Sequence, residues 1–383
     1  MNPVYAGLGT TIFEHMSGLA RQLDAVNLGQ GFPDGAEPAD LLAAAARALT
    51  EQSNQYPPMA GLPELRRAVA GHYAATQGLD LAPEEVIVTS GATEALAAAI
   101  FALVSPGDEV VMFQPLYDAY LPLVQRAGGI ARLIRLEPPN WKITADALDA
   151  ARGARLLILN DPLNPAGTLL SDGERQLIAD FCIANDAIAI CDEVWEQVIF
   201  DGLTHKPLMA MPGMRDRCVK IGSAGKIFSL TGWKVGWMCA APALSAVLAK
   251  AHQFLTFTTP PNLQRAVAEG LTSDLTTNGG RFASMCAGFQ RSRDRLAAGL
   301  TGLGYVVLPS HATYFLSVDL AASGIDMPDA RYCDWLVREA GVATIPVSAF
   351  YAQAPVTNIV RFCFAKADTT LDAALQRMAK RPA

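Results

Sequence analysis

The residues best equipped for chemistry cluster first in Gly222-Ser-Ala-Gly-Lys226-Ile-Phe-Ser-Leu-Thr-Gly-Trp-Lys234-Val-Gly236. Lys226 sits in a Gly/Ser-rich turn behind an apolar run, and Lys234 follows eight positions later. A primary amine held in such a turn is equipped to form a Schiff base with a carbonyl compound, and Ser223 and Lys234 can hold an anionic group beside it. The same residues also suit an ordinary strand-to-helix loop with two solvated lysines. A phosphate-binding P-loop is excluded, because that pattern wants glycine where Lys220 stands and Ser or Thr where Ile227 stands.

Three more turns carry suitable groups. In Ser90-Gly91-Ala92-Thr93, small residues let a helix N-terminus present free amides to an anion, with the Thr93 hydroxyl alongside. A plain N-cap at Ser90 or Thr93 explains the same residues. Asn160-Asp-Pro-Leu-Asn164-Pro-Ala-Gly-Thr168 is a polar, proline-stiffened loop in which Asn164 offers an amide donor, although two prolines and a glycine also describe a turn. Asp192, in Cys191-Asp192-Glu193-Val194-Trp195, ends an apolar run. A carboxylate buried there needs a partner, since an unpaired buried charge is costly.

Elements able to position these turns alternate along the chain. Apolar strands are expected at Glu85–Thr89, Glu109–Phe113, Ala131–Leu136, Arg155–Leu159, Ala187–Cys191 and Cys218–Ile221, with helices at Pro38–Glu51, Thr93–Val104 and between several strands. That rhythm indicates an α/β core with a largely parallel sheet, whose ligands sit beyond the C-terminal strand ends. Thr276–Gly280 is the best linker candidate. After it come a helix around Phe282–Leu303, strands at Tyr305–Leu308, Tyr314–Asp319 and Asn358–Phe364, and helices near Ala330–Ala340 and from Leu371, an α+β tail.

Composition narrows the function classes. The 383 residues are 51% hydrophobic and 17% charged, enough for two domains around substantial cores. A net charge of -7 and the lack of a basic run argue against nucleic acid. No apolar run reaches the roughly 18 residues that a bilayer demands. Met-Asn-Pro-Val-Tyr-Ala-Gly does not read as a signal peptide. The seven cysteines lack C-x-x-C spacing and read as buried hydrophobes in a reducing compartment, so cytoplasmic residence is expected. The five histidines show no ligand spacing, and no metal is expected.

Taken together, the four turns, with Asn27-Leu-Gly-Gln-Gly-Phe-Pro-Asp34, Asn54-Gln-Tyr56 and Thr231-Gly-Trp-Lys-Val-Gly236, resemble the class I/II aminotransferases. These are fold-type I enzymes that use pyridoxal 5'-phosphate (PLP), and the likeness is greatest to the kynurenine/glutamine transaminase and methionine aminotransferase subgroup. It runs from about Leu8 to Lys366. The resemblance implies a mostly parallel seven-stranded sheet flanked by helices, plus a smaller α+β domain built from both termini. The corresponding boundaries are 1–40 and 280–383 for the small domain and 41–279 for the large one.

The resemblance also implies roles. Lys226 carries PLP as a Schiff base and, once freed, moves the substrate Cα proton. Asp192 pairs with the pyridine nitrogen, Asn164 donates to the ring oxygen O3', and Tyr117 stacks on the ring. Ala92, Thr93, Ser223 and Lys234 hold the phosphate, joined by Tyr56 from the second subunit of a homodimer. Arg361 takes the substrate carboxylate, whereas without the resemblance it reads as an ordinary strand-edge arginine. Phe13, Gly31, Phe32 and Phe315 match positions lining the substrate pocket, although aromatic residues would fill any core. Gln114-Pro115 and Asn164-Pro165 are expected as cis peptides. Trp195 departs from the family, which usually has tyrosine there with its hydroxyl on O3'. Indole has one N–H donor and no acceptor, so Trp195 either donates to O3' or leaves that contact to Asn164 and a water.

The implied activity is ping-pong transfer of an amino group from methionine, an aromatic amino acid, glutamine or kynurenine to a 2-oxo acid. N-succinyldiaminopimelate transamination and β-elimination, as in cysteine-conjugate or cystathionine lyases, are the alternatives on the same fold. A transcription regulator with an aminotransferase-like sensor domain needs an N-terminal DNA-binding module, and only about 25 residues precede Val26.

Overall fold

The structure, a computed structural model, describes residues 1–35, 37–277 and 280–379. Apolar runs buried on both faces form five strands of the large sheet: β1 (Val86–Thr89), β2 (Glu109–Gln114), β4 (Leu156–Asn160), β5 (Ile188–Asp192) and β6 (Cys218–Ser223). Between β2 and β4 in the chain lies β3 (Ile130–Arg135). It alternates exposed and covered residues, as an edge strand with one paired side does. The spatial order is β1-β7-β6-β5-β4-β2-β3, where β7 is Gly236–Ala240.

Strands β2 to β6 pair in parallel, whereas β7 runs antiparallel to both neighbours. The expected strands lie where the sequence places them, within a residue or two at the ends, but β7 was not anticipated. It begins at Gly236, the last residue of the Thr231–Gly236 motif, and its place in the sheet is set by antiparallel pairing with β1 and β6. Its register sets Gly236 opposite both Thr89 and Ser223. The loop bearing Lys234 therefore lies against the turn after β1.

Helices cover both faces. The ones used below are α1 (Ala39–Glu51), α2 (Pro63–Gln77), α3 (Gly91–Leu103), α4 (Pro242–Leu255) and α5 (Pro261–Thr276). Alanine-rich faces let α3 and α4 approach closely, and α5 packs on α1 and α2. Of the expected linker Thr276–Gly280, Thr276 closes α5 and Gly280 opens the long helix α6 (Gly280–Gly302); Asn278 and Gly279 lie outside the described residues.

Beyond α6, a small antiparallel sheet has the order β10-β11-β9-β8, from β8 (Val306–Val307), β9 (Phe315–Asp319), β10 (Ile345–Pro346) and β11 (Ile359–Cys363). The helix expected near Ala330–Ala340 is α-helical over Asp329–Trp335 and continues as a π-helical turn, Leu336–Ala340. Val26–Asn27 pairs in parallel with Val342–Ala343, which joins the N-terminal segment to the C-terminal part. Both expected cis peptides are present, as are cis bonds at Pro138-Pro139 and Asp161-Pro162. All seven cysteines are free, and only Cys286 is not buried.

Candidate active site

A cavity of about 230 Å³ opens beyond the C-terminal ends of β4, β5 and β6, against the N-terminus of α3. Asp192, the last residue of β5, is 5% exposed. Tyr120 Oη donates to its Oδ2 at 2.5 Å, while Oδ1 is buried without a partner. Burial raises the Asp192 carboxyl to about 6, with the Tyr120 bond and the nearby Lys226 charge pulling the other way. Lys226 projects from the short helical turn Ala224–Ile227 that continues β6. Desolvation lowers its ammonium to about 8, opposed by the charge of Asp192. Its Nζ stands 4.6 Å from the centre of the Trp195 ring. That ring is wedged edge-on between Tyr314 (4.8 Å) and Phe315 (5.7 Å).

On the small-domain side, Arg361 is 2% exposed in the middle of β11. The strand-edge reading fails because β11 has β10 on one side and β9 on the other, so the side chain enters the interior. Its Nη1 donates to Asn164 Oδ1 (3.0 Å) and its Nη2 to the Gly29 carbonyl (2.9 Å), while Nε is buried without a partner. The guanidinium lies 3.8 Å from the Phe315 ring centre, 5.1 Å from Phe350 and 5.3 Å from Phe13. Desolvation pushes even this group down, to about 9. Gly31 lies against the Phe315 ring so closely that a Cβ there would stand 2.6 Å from Phe315 Cζ.

At the other end of the cavity, Ala92 and Thr93 occupy the first turn of α3, where backbone amides have no helical acceptor. Ser223 and Lys234 complete this end. Tyr117 lines the cavity with Thr93, and its ring meets Tyr120 edge-on at 5.7 Å. An amine, a carboxylate, a second cation and an amide-rich helix start therefore share one cavity. That set can hold a small aromatic phosphate, and Arg361, hydrogen-bonded to the lining residue Asn164, is a cation beside it that suits a carboxylate.

Of the other expected residues, Arg361 and Phe315 stand just behind the lining, against Asn164 and Trp195, with Phe13 and Gly31 packed on them, and two lie farther off. The Phe32 ring is 47% exposed and lines an outer cleft of about 910 Å³ rather than this cavity. Lys366 keeps it there, with Nζ donating to the Phe32 carbonyl at 2.9 Å and standing 4.4 Å from the ring centre. Tyr56 is 82% exposed and packs edge-on against Phe257 (5.5 Å), away from the cavity of its own chain. Two residues escaped the sequence reading. Tyr120 had a signal, since it closes the Gln114–Tyr120 segment that carries Tyr117. Phe350 had none, because only the fold brings it to Arg361.

Behind the site lies a buried ion network. Lys220 Nζ binds Glu193 and, at 2.6 Å, Glu196; Glu196 also accepts from Tyr73 (2.7 Å) and Gln77 (2.7 Å). Glu193, Glu196 and His205 form a group of possible metal ligands, and the Lys220 ammonium already bridges the two carboxylates.

Residues 24–378 match the family model for aminotransferase class I and II. This chain belongs to the class I and II aminotransferases. The aminotransferase is 43% identical to the probable N-succinyldiaminopimelate aminotransferase of Mycobacterium tuberculosis, covering 98% of this chain and 97% of that one. It is 39% identical to the methionine aminotransferase of Escherichia coli (97% and 96% covered). With kynurenine–oxoglutarate transaminase 1 of Rattus norvegicus it shares 34% identity (98% and 96% covered). Solved structures of the Mycobacterium and Escherichia enzymes superpose with TM-scores of 0.94 each, at 42% and 37% identity and 99% coverage of both chains. The protein is thus a transaminase acting on an amino acid and a 2-oxo acid.

Proposed function

We propose that this transaminase uses pyridoxal 5'-phosphate, held in the cavity around Lys226 and Asp192. The observation that carries the reading is the buried Asp192 Oδ1 without a partner, facing the same cavity as Lys226 and Lys234. An unpaired carboxylate oxygen there fits a protonated ring nitrogen, since a buried charge needs a counter-charge. The helix start at Ala92 and Thr93, with Ser223 and Lys234, fits a phosphate. When bound, pyridoxal phosphate supplies a cationic ring that draws electrons from the substrate Cα–H bond.

The chain's own residues do the rest. Asp192 would hold the protonated ring nitrogen, Trp195 would meet the ring oxygen or leave that contact to Asn164 and a water, and Tyr117 would stack on the ring. Asn164 orients its oxygen with the Nδ2 donors left over from the contact of Oδ1 with Arg361. Lys226 Nζ, once neutral, takes the proton from the substrate Cα. Arg361 binds the substrate carboxylate with its planar fork, replacing the contacts it now makes to Asn164 and Gly29.

Trp195 on the cavity wall, with Phe13, Phe315 and Phe350 packed around Arg361, supports donors with apolar or sulfur-containing side chains, such as methionine and aromatic amino acids, with glutamine and kynurenine in the same set. A second reading, N-succinyldiaminopimelate as donor, is favoured by the 43% identical Mycobacterium relative. The exposed Tyr56 and Phe257, with Phe254 at 85% exposure, support a homodimer in which Tyr56 reaches the partner's phosphate. The free cysteines support a cytoplasmic location. The seven-stranded sheet within 86–240, the four-stranded sheet within 306–363 and the pairing of Val26–Asn27 with Val342–Ala343 support a large domain of 41–279 and a small one of 1–40 plus 280–383.

The test adds pyridoxal phosphate to the wild type and to Lys226→Ala. Only the wild type should acquire the visible absorbance of a lysine-bound cofactor, and an unchanged band in Lys226→Ala overturns the assignment. Bleaching of that band across a panel of amino acids, N-succinyldiaminopimelate included, then ranks donors. Release of pyruvate and ammonia without a 2-oxo acid would instead establish β-elimination.

A further inference from the structure

His252 lies near the C-terminus of α4, fully buried, between two segments that the proposed phosphate site depends on. Its Nδ1 is 3.0 Å from Glu94 Oε1, and its Nε2 is 3.0 Å from the Met59 carbonyl oxygen. An ionised carboxylate and a carbonyl can only accept, so the two contacts are both hydrogen bonds when both ring nitrogens donate, as in an imidazolium. A neutral ring would set a nitrogen lone pair against one of the two oxygens.

Both partners lead to the site. The other Glu94 oxygen accepts from the Ser90 amide at 3.0 Å and so fixes the first turn of α3, where Ala92 and Thr93 stand. Met59 belongs to the loop that presents Tyr56, which packs on Phe257 just beyond α4.

We propose that His252, as a doubly protonated cation, is a positioning residue that locks the anion-binding start of α3 to the Tyr56 loop. One proton thereby governs the grip on the cofactor phosphate. The inference rests on the phosphate-site reading above. Burial pulls the imidazole down, but the bond and charge of Glu94, with backbone contacts at Met59 and Phe257, outweigh it and raise it above 6.5. Glu94 is the charged group that faces it. Of the other groups on elements packed against α4, Glu85 and Arg215 pair with each other at 2.6 Å and Arg217 pairs with Asp186 at 3.1 Å. Glu84, Asp216 and, on α4 itself, Lys250 are exposed, and burial holds the Cys239 thiol of β7 neutral.

The decisive measurement is the dissociation constant of pyridoxal phosphate for wild type and His252→Gln across pH, read by absorbance. At a pH that keeps the wild-type ring doubly protonated the variant should bind roughly tenfold more weakly, and once the pH is high enough to remove that proton the two should converge. A ratio that stays constant with pH overturns the proposal. Glu94→Gln should show the same pH-dependent loss. Nitrogen-15 NMR of the wild-type ring needs no variant: two protonated nitrogens at about pH 6.5 support the lock, and one refutes it. If neither protein binds pyridoxal phosphate, the phosphate-site reading falls, while the NMR result still decides the state of His252.

Discussion

Tyr120 Oη stands 2.5 Å from Asp192 Oδ2, while Oδ1 of the same carboxylate is equally buried and has no hydrogen-bond partner among the described residues. One oxygen is thus held by the protein and the other is left for a ligand. Tyr120 does two things: it fixes the plane of the carboxylate, and it favours the charged form against desolvation.

Replacing Tyr120 with Phe removes that bond and leaves the Val194 backbone and the nearby Lys226 charge as the protein's support for the ionised form. The Asp192 carboxyl, already raised to about 6, should rise further, so less of it is ionised near neutral pH. Hydrogen bonds to charged groups contribute about 1.5–3 kcal/mol, so pyridoxal phosphate should bind at least roughly tenfold more weakly. The acid limb of the kcat profile should shift to higher pH. Unchanged affinity and an unchanged limb would show that Tyr120 does not tune Asp192.

Lys226 in the cofactor-free protein should react as an amine with a midpoint near pH 8, because desolvation lowers its ammonium to about 8 from 10.5. Below that midpoint the buried cation opposes folding. As pH rises from 8 towards 10.5 the unfolded chain holds the extra proton, so stability should increase over that window. Lys226→Met should lose this increment. Asp192→Asn should lower the midpoint further, since the Asp192 charge supports the ammonium. Mass-spectrometric labelling of Lys226 against pH checks both, and labelling with the midpoint of an exposed lysine would contradict them.

The sequence revealed the site unevenly, for physical reasons. Asp192, Asn164 and Lys226 close apolar strands or their turns, so local pattern and strand-end logic together located them. Arg361 was harder, because an arginine in a short apolar run reads as exposed until β10 and β9 flank its strand. The Tyr120–Asp192 bond spans 72 positions and the Arg361–Asn164 bond 197, and no local period encodes either. β7 went unseen because its antiparallel entry between β1 and β6 depends on pairing rather than on its own composition. Phe32 misled because an aromatic beside Gly31 is compatible with either side of the segment, and Lys366 decides which.

The network behind β5 and β6 should prove sensitive to charge balance. Lys220 is fully buried, and the carboxylates of Glu193 and Glu196 outweigh desolvation to keep it charged. Lys220→Met should destabilise the protein by about 3–5 kcal/mol, the cost of leaving buried carboxylates without a counter-charge. Adding Glu196→Gln should recover much of that loss by removing one of the stranded charges. Chemical denaturation of the single and double variants checks the pair, and a double variant no more stable than Lys220→Met would contradict the charge argument.

Gly236 tests the link between β7 and the start of α3. A Cβ at this position would stand 2.7 Å from the Gly91 carbonyl carbon, 2.9 Å from the Ala92 nitrogen and 3.0 Å from the Gly222 oxygen. All three are backbone atoms, so no side chain can swing away to make room. Gly236→Ala should force the Gly91–Ala92 turn outward, at a cost of about 1–3 kcal/mol in stability. It should also weaken pyridoxal phosphate binding by roughly tenfold, because the displaced amides are those proposed to meet the phosphate. Gly232 is the control: nothing lies within 4 Å of the Cβ it lacks, so Gly232→Ala should stay within about 0.5 kcal/mol of wild type. If Gly236→Ala binds the cofactor as tightly as Gly232→Ala, the phosphate does not rest on the α3 start, and the assignment of Ala92 and Thr93 falls with it.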